Sequence, residues 1–578
     1  MNARSESDQQ RREETWRQRD PATFQVVKNA LYAVAEEMKV VLAKTAYSPI
    51  LKVAGDYSCG VFDVHGEMVA QGPDLPIHLG SMPDAVKALI AAHDAIHPED
   101  VFIHNDPYFG GTHLPDVNVV TPAFSDGDLL GFACVRAHWP DVGSATPGSY
   151  GAVTEIFGEG LRLPPVRLYS RGELNEDVAN IVFCNVRAPE DRRGDLSAQV
   201  AANLRAVQRL SALAGKHGTG KLKAIMAEVM DYSEDMMRAM LAELPDGEST
   251  FEELCDGDGI LTDDGVEEPF KVRLAIVKRK DGLAVDFTGS DPQVPGPMNA
   301  PLAVTASGIY TAVKMVADPT NLIPPNSGCW RPVSVTAPTA SVVNCVMPAP
   351  VVYANHEMSH RVCDMFFGAF AHLAPDNVMT CSQGTSAILT LGGTDYRNGA
   401  TYVSYESLKG GFGARPNKDG ISGLSSGIAN TMNTPVEILE MSFPFRVERY
   451  ELIADSGGAG QHRGGLGVRR TWRLLGNDAR ASVCCERTLT PPFGLFGGHA
   501  GKPARITLTT PDGTTQVLNS KGPFTAPADA RIDYVVPGAG GYGDPLMRNR
   551  HQIRDDVRNG YVSPTAASDL YGLDETDL

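Results

Sequence analysis

"SAQVAANLRAVQRLSALAGKHGTGKLKAIMAEVMDYSEDMMRAMLAEL", residues 197–244, spaces its apolar residues three and four apart on both sides of a Gly-rich break, "GKHGTG". That spacing predicts two amphipathic helices, and the glycines supply the stop between them, so the stretch reads as a helical hairpin. On either side the pattern changes to strands. "DYSCGVFDVHGEMVAQG" (56–72) reads as strand, His-Gly turn and strand, and "VFIHNDPYFGG" (101–111) as a strand running into a loop. "GDLLGFACVRAHWPDVG" (127–143) repeats that form. Downstream, "FKVRLAIVKRKDGLAVDFTGS" (270–290) alternates through a Lys-Asp-Gly turn as a β-hairpin, and 440–545 return to short strands and Gly-rich turns. The expected fold class is therefore α+β, with a helical hairpin inserted between β-rich regions.

Two more helices flank these parts. From Phe24 to Ala46, Val27, Leu31, Val34, Met38, Val41 and Leu42 recur at helical spacing, and "NHEMSHRVCDMFFGAFAHL" (355–373) has the same periodicity. The chain divides into a charged arm (1–21), an N-terminal α+β region (22–196), the helical hairpin (197–250), an α+β region with Gly-rich loops (251–546) and a helical tail (547–578). Trp16 is the one residue of the arm that favours docking on a partner.

The 578 residues are 42% hydrophobic and 21% charged, ordinary globular composition that excludes wholesale disorder. Fifty-one basic against 70 acidic residues give a net charge of −19, which opposes binding to a phosphate backbone. The N-terminus has no apolar signal core and no run of about twenty apolar residues occurs, so a cytoplasmic location is expected. Ten cysteines include one close pair, Cys484-Cys485, a poor geometry for a disulfide or a Cys-based zinc site; reduced, buried thiols are expected.

The chemistry concentrates in "HNDPYFGGTHLPDVNVVTPAF", residues 104–124. A catalytic divalent metal needs about three ligands from His and carboxylates, with a position left for water or substrate. His113 and Asp116 stand three apart with Pro115 between them, and Gly110-Gly111 just before removes side-chain bulk. "HWPD", His138 to Asp141, repeats the arrangement at the end of a second strand. His104 and His78 read as structural, and Asp106 before Pro107 as an Asx-type turn residue. Nucleotide signatures fail: "GGHAGKP" (497–503) has Pro where a P-loop needs Ser or Thr, and "GAGGYG" (538–543) runs into Asp-Pro instead of a helix.

Together "HNDPYFGGTHLPDVNVVTPAF", "IHLGSMPDAV", "VRAHWPDVG", "DFTGSDPQVPGPMNAP", "NSGCWRPVSVTAP", "DSGGAGQHRGGLGVRR" and "VVPGAGGYGDPL" resemble the hydantoinase B/oxoprolinase family, in order and over residues 22–573. The resemblance implies a B-type subunit that works with a hydantoinase A-type partner carrying ATP and magnesium, in an A2B2 heterotetramer. It implies ATP-dependent opening of a cyclic amide (hydantoin, 5-oxoproline or lactam), with biotin-independent ketone carboxylation in related subunits as the alternative and a non-catalytic scaffold as a second. In the carboxylase alpha subunit, manganese sits on a His-x-x-Asp loop and a later His; the matching positions are His113, Asp116 and His138, so a divalent metal, manganese or zinc, is expected on them. Many relatives carry a second His after the last of these, where this chain has Trp139. Asp141 or Asp56 is expected to orient or deprotonate the attacking water.

Overall fold

The computed structural model describes residues 20–573; of the charged arm only Asp20 and Pro21 fall within them, and Trp16 lies outside. Those two residues belong to a helix. The Asp20 carboxylate accepts from the backbone N–H groups of Ala22 and Thr23, and Pro21 takes the first position of α1 (Pro21–Thr45), where a missing N–H costs nothing. Phe24, Val27, Leu31, Val34, Met38 and Leu42 form its buried stripe, while Val41 is only partly buried.

The stripe faces an antiparallel sheet of β1 (Tyr57–Phe62), β2 (Met68–Gln71), β3 (Val101–His104), β4 (Asp116–Ser125), β5 (Asp128–His138), β6 (Val166–Ser170) and β7 (Glu173–Leu174), ordered β2-β1-β5-β4-β3-β6-β7. Between β2 and β3 come a single turn, α2 (Pro76–Leu79), and α3 (Met82–Ala92). The sheet is covered on both faces: along β5, Ala133, Val135 and Ala137 join the core of α1, whereas Phe132 and Cys134 pack with Met82, Val86 and Leu89 of α3. Double coverage explains why β4 and β5 read as nearly continuous apolar runs.

The helical hairpin is α4 (Pro189–His217) and α5 (Thr219–Ala242). α4 begins upstream of the expected residue 197 because Pro189 and the acidic Glu190 and Asp191 make a favourable first turn. Of the Gly cluster, Gly215 stays helical, and only Gly218, at φ +87°, breaks the chain direction. α4 lies against α1 and over β4 and β5, and two buried amides pin it there. Gln199 donates to the Val117 carbonyl (3.0 Å) and accepts from Trp139 Nε1 (3.0 Å), while Asn203 donates to the Val119 carbonyl (2.8 Å).

A second sheet comprises β8 (Gly247–Cys255), β9 (Phe270–Arg279), β10 (Gly282–Asp286) and β11 (Val333–Thr336), with β9 and β10 forming the expected hairpin. Against it runs α6 (Ala354–Phe370), in which every residue except His356 is buried. A third sheet pairs β12 (Ile388–Thr394) with β13 (Thr401–Ser407) and with strands at 479–484 and 521–526. Ile388 and Tyr405 turn towards the core of α6, and Leu389 and Leu391 turn onto a last, five-stranded sheet. The fold is α+β, and one hydrophobic core runs from Phe24 to Cys484 across the regions distinguished in the sequence.

The Gly-rich C-terminal loops serve close backbone packing: a Cβ on Gly540 would lie 1.9 Å from the Phe493 carbonyl oxygen. All ten cysteines are free and nine are buried, and among the described residues no helix is long and apolar enough to cross a membrane.

Gln199 tests how α4 is held. Gln199→Ala leaves the buried Trp139 N–H without an acceptor, so it is expected to lower unfolding free energy by about 1–3 kcal/mol in urea titrations. A loss below about 0.5 kcal/mol, the scale of an ordinary surface substitution, would show that this contact is not what seats the helix.

Candidate functional site

The long hairpin of the central sheet builds the site. β4 and β5 pair in a register that sets Asp116, the first residue of one strand, directly opposite His138, the last of the next. The loops that enter and leave are tied together: Asp116 N–H donates to the His113 carbonyl (3.1 Å) and Trp139 N–H to the Pro115 carbonyl (2.8 Å). The Gly pair provides room as expected, for Gly110 has φ +79° and a Cβ there would meet the Asp84 backbone at 2.4 Å. Asp106 makes the Asx-type turn, accepting from Tyr108 N–H at 2.9 Å.

A third imidazole arrives from the first turn of α6. His356 brings its ring centroid to 4.9 Å from His113 and 5.8 Å from His138, and those two lie 5.2 Å apart. One ring nitrogen from each lies within 4.8 Å of the other two. Asp116 sits at the edge of this triangle. Its Oδ2 accepts from Thr112 Oγ1 and from Asn355 Nδ2 (3.2 Å), and its Oδ1 lies 3.2 Å from His113 Nε2 and 3.4 Å from His78 Nε2. His78, read from sequence as structural, thus touches the centre from α2, with its Nδ1 on Ser58 Oγ (3.2 Å). The Tyr405 ring covers His138 at 4.3 Å, its hydroxyl is 3.4 Å from His356 Nε2, and Tyr150 OH is 3.5 Å from Tyr405 OH.

Electrostatics disfavours the charged form of two of the imidazoles, His138 and His356. Burial, and then the charge of His113, press His138 well below the ordinary histidine value, and burial with His113 and His138 does the same to His356. Burial works against the Asp116 carboxylate, but His113 and His78 hold it well below the usual carboxylate range. Asp56 is pushed up to about 6 by burial, which His78 partly offsets. A neutral imidazole offers a lone pair, and several polar atoms here are buried without a partner: His113 Nδ1, both His138 nitrogens and Asn355 Oδ1. Each such atom costs about 1–3 kcal/mol unless something binds it. Donor type, spacing and unsatisfied atoms all fit a divalent cation held by His113, His138 and His356, with Asp116 alongside.

The structure brings His113, Asp116 and His138 together. Asp56 reaches the centre through His78 Nε2 (3.8 Å) and through its carbonyl, which accepts from His138 N–H (3.0 Å). The Asp141 carboxylate is engaged by Gly143 N–H, Gly148 N–H and both the backbone and guanidinium of Arg187. Trp139 sends its side chain to Gln199 of α4, so that position addresses the helix. The buried His104 has no partner on either ring nitrogen, and burial drives it to about 3.

Sequence reasoning missed His356, although a signal existed: "HEMSH", 356–360, spells the H-E-x-x-H of a zinc-binding helix. Here only the first His joins the centre, because His360 bonds Ser386 Oγ (2.9 Å) and Ser426 Oγ. A cavity of about 270 Å³, lined in part by Pro140, Glu406 and Tyr405, reaches the ring that covers His138. A larger one of about 820 Å³ touches Leu79 and Gly80 beside His78, but none of the three histidines.

Fold and site define an α+β protein with a polyhistidine centre assembled from three segments. The chain belongs to the hydantoinase B/oxoprolinase family, whose profile matches residues 20–545. It is 33% identical to the B-type component of a putative D-/L-hydantoinase from Pseudomonas sp. (strain NS671), over 96% of each chain. It is 34% identical to the caprolactamase beta subunit of Pseudomonas jessenii, again over 96% of each. The crystal structure of ATP-dependent caprolactamase from Pseudomonas jessenii matches with a TM-score of 0.88 at 33% identity, over 96% of each chain. Nucleotide-free acetone carboxylase shares the fold at 19% identity, with a TM-score of 0.89 over 96% of this chain and 80% of that one.

Two outcomes test the site. His356→Ala is expected to weaken manganese or zinc binding to the metal-stripped chain at least about tenfold in calorimetry; unchanged affinity would remove His356 from the ligand set. Glu159 supports the approach to α6, its buried carboxyl accepting from the N–H groups of Val351 (2.6 Å) and Val352 (2.8 Å). Burial pushes it from 4.5 up to about 8, against those two bonds. A raised folded-state value means stability present below pH 4.5 and lost as pH rises through 8, so Glu159→Gln is expected to gain stability over wild type progressively across that window. A difference that does not change with pH would contradict the shift.

Proposed function

We propose that the chain is the B-type subunit of an ATP-dependent cyclic-amide hydrolase, opening a hydantoin, 5-oxoproline or lactam ring. It would work in the cytoplasm in an A2B2 heterotetramer, on substrate phosphorylated by a hydantoinase A-type partner that binds ATP and magnesium. The observation that carries this reading is the three-histidine centre, with His113 and His138 fully buried, in a chain that spans almost the full length of relatives named as components of a hydantoinase and a caprolactamase. Absence of a nucleotide motif in the sequence is consistent with ATP chemistry on the partner.

An amide carbonyl resists water because its nitrogen donates into it. Phosphorylating the lactim oxygen removes that donation and turns the oxygen into part of a leaving group. When bound, a manganese or zinc ion on His113, His138 and His356, with Asp116, would supply Lewis acidity at an oxygen of the substrate or of water. The remaining roles fall to side chains. Asp116, fixed by Thr112 and Asn355, orients His113. Asp56, at about 6, is suited to accept a proton from the attacking water near neutral pH, passed through or beside His78. Tyr405 and Tyr150 exclude solvent over His138 and His356 and offer hydroxyls to a developing oxyanion. Asp141 acts at a distance, holding the turn at 147–149 through Gly148.

The test pairs the purified chain with its ATP-binding partner and a panel of cyclic amides. His113→Ala is expected to lower ATP-coupled ring opening at least about a hundredfold while assembly and ATP binding by the partner persist. Undiminished turnover would sink the assignment. Lost assembly alone would favour a scaffold role, and product formation that requires bicarbonate would favour ketone carboxylation.

A further inference from the structure

One buried cation beside the histidine centre has no role in the chemistry above. Lys409 lies just past β13 and is 4% exposed. Its ammonium donates to Thr431 Oγ1 (2.7 Å) and Ser407 Oγ (3.1 Å), both neutral hydroxyls. Among the described residues no carboxylate lies within ion-pair distance of it, and its third N–H has no acceptor. The nearby acids are committed elsewhere, Glu406 to Arg470 (3.0 Å) and Asp56 to His78. Asp56 and Glu406 act on it only at a distance, and a buried charge without a directly bonded counter-charge is costly, so an anion placed against its free N–H would be favoured.

Its surroundings suit an oxyanion. Tyr405 and Ser407 are two apart on β13 and share one face of the strand, and Lys409 continues that row by contact with Ser407. The row starts at Tyr405, over His138 and against His356, and ends at Lys409, so it runs from the histidine centre to the cation. Across from it, α6 presents His356 and, one turn on, His360, which is linked through Ser386 to the Ser407 hydroxyl. Thr431 accepts from Lys409 and keeps its own O–H free to donate. Burial lowers the ammonium to about 8 while Asp56 and Glu406 support it, so it remains mostly charged at neutral pH.

We propose that Lys409, positioned by Ser407 and joined by the Thr431 hydroxyl, is an anion subsite of the histidine centre that takes the phosphoryl group of the activated substrate and the phosphate released from it. The subsite rests on the hydrolase reading for its biological ligand. It adds to that reading a place for the charge that ATP introduces. A tetrahedral dianion there would receive a charge-assisted bond from the third ammonium N–H and a second bond from Thr431.

The probe is inorganic phosphate, titrated calorimetrically into the full-length chain at fixed metal content, with acetate as the control anion. Wild type and Lys409→Arg are expected to bind phosphate saturably, and Lys409→Met to lose at least about tenfold in affinity with unchanged metal affinity. If Lys409→Met does not fold, Lys409→Gln, which can still bond Ser407 and Thr431, takes its place. Equal phosphate affinity in wild type and the neutral variant, equal binding of acetate, or no saturable phosphate binding by wild type would overturn the subsite. These titrations need no turnover, so ring opening retained alongside any of those results would leave the hydrolase reading standing while removing the subsite. Conversely, Lys409-dependent phosphate binding without ring opening would leave the subsite and remove the substrate.

Discussion

Everything at the centre depends on burying unpaired imidazole nitrogens next to one carboxylate. The β4–β5 register fixes two members of the group, Asp116 opposite His138, and a loop bonded to that same hairpin fixes His113. Because α6 is buried along almost its whole length, the position of His356 is over-determined by packing, and the triangle of rings cannot relax into solvent. That rigidity preserves the unsatisfied nitrogens, and the burial it maintains holds His138 and His356 well below the ordinary histidine value.

The same constraint explains the neighbouring architecture. α4 covers the hairpin from outside through Gln199 and Asn203, which occupy backbone carbonyls that a fully apolar helix would leave to chance. Trp139 follows His138 in the chain yet bonds Gln199, so successive residues at the strand end serve opposite tasks, one to the centre and one to the covering helix. The third sheet closes the other side with Tyr405, and its edge carries Lys409. The arrangement pairs a Lewis-basic pocket with a separate buried cation.

Much of this is legible in the sequence where the signal is local. The apolar period of α1, the β9–β10 turn and the helical hairpin each follow from neighbours a few residues apart; the repeated His-x-x-Asp pattern on adjoining strands singles out His113, Asp116, His138 and Asp141, and the family resemblance narrows it to the first three. The start of α1 reads too late because Asp20 looks like part of a charged arm until its capping bonds are seen. His356 lies 243 residues beyond His113, so nothing local links them, and its H-E-x-x-H context misleads because His360 is claimed by Ser386 and Ser426. His78 is obscured by the apolar residues either side of it, which pack while its ring turns to Asp116. Asp141 matches the pattern of Asp116 in sequence, but Arg187, far along the chain, engages it in space.

On the proposed reading, three imidazoles from β5, the loop before β4 and α6 would hold one divalent cation. The most direct measurement is anomalous diffraction at the manganese absorption edge, from crystals of the full chain grown with manganese. A single strong peak is expected within coordinating reach of His113, His138 and His356, with Asp116 beside it. A peak at another set of residues, or a metal-binding chain with density that His356 does not reach, would contradict it.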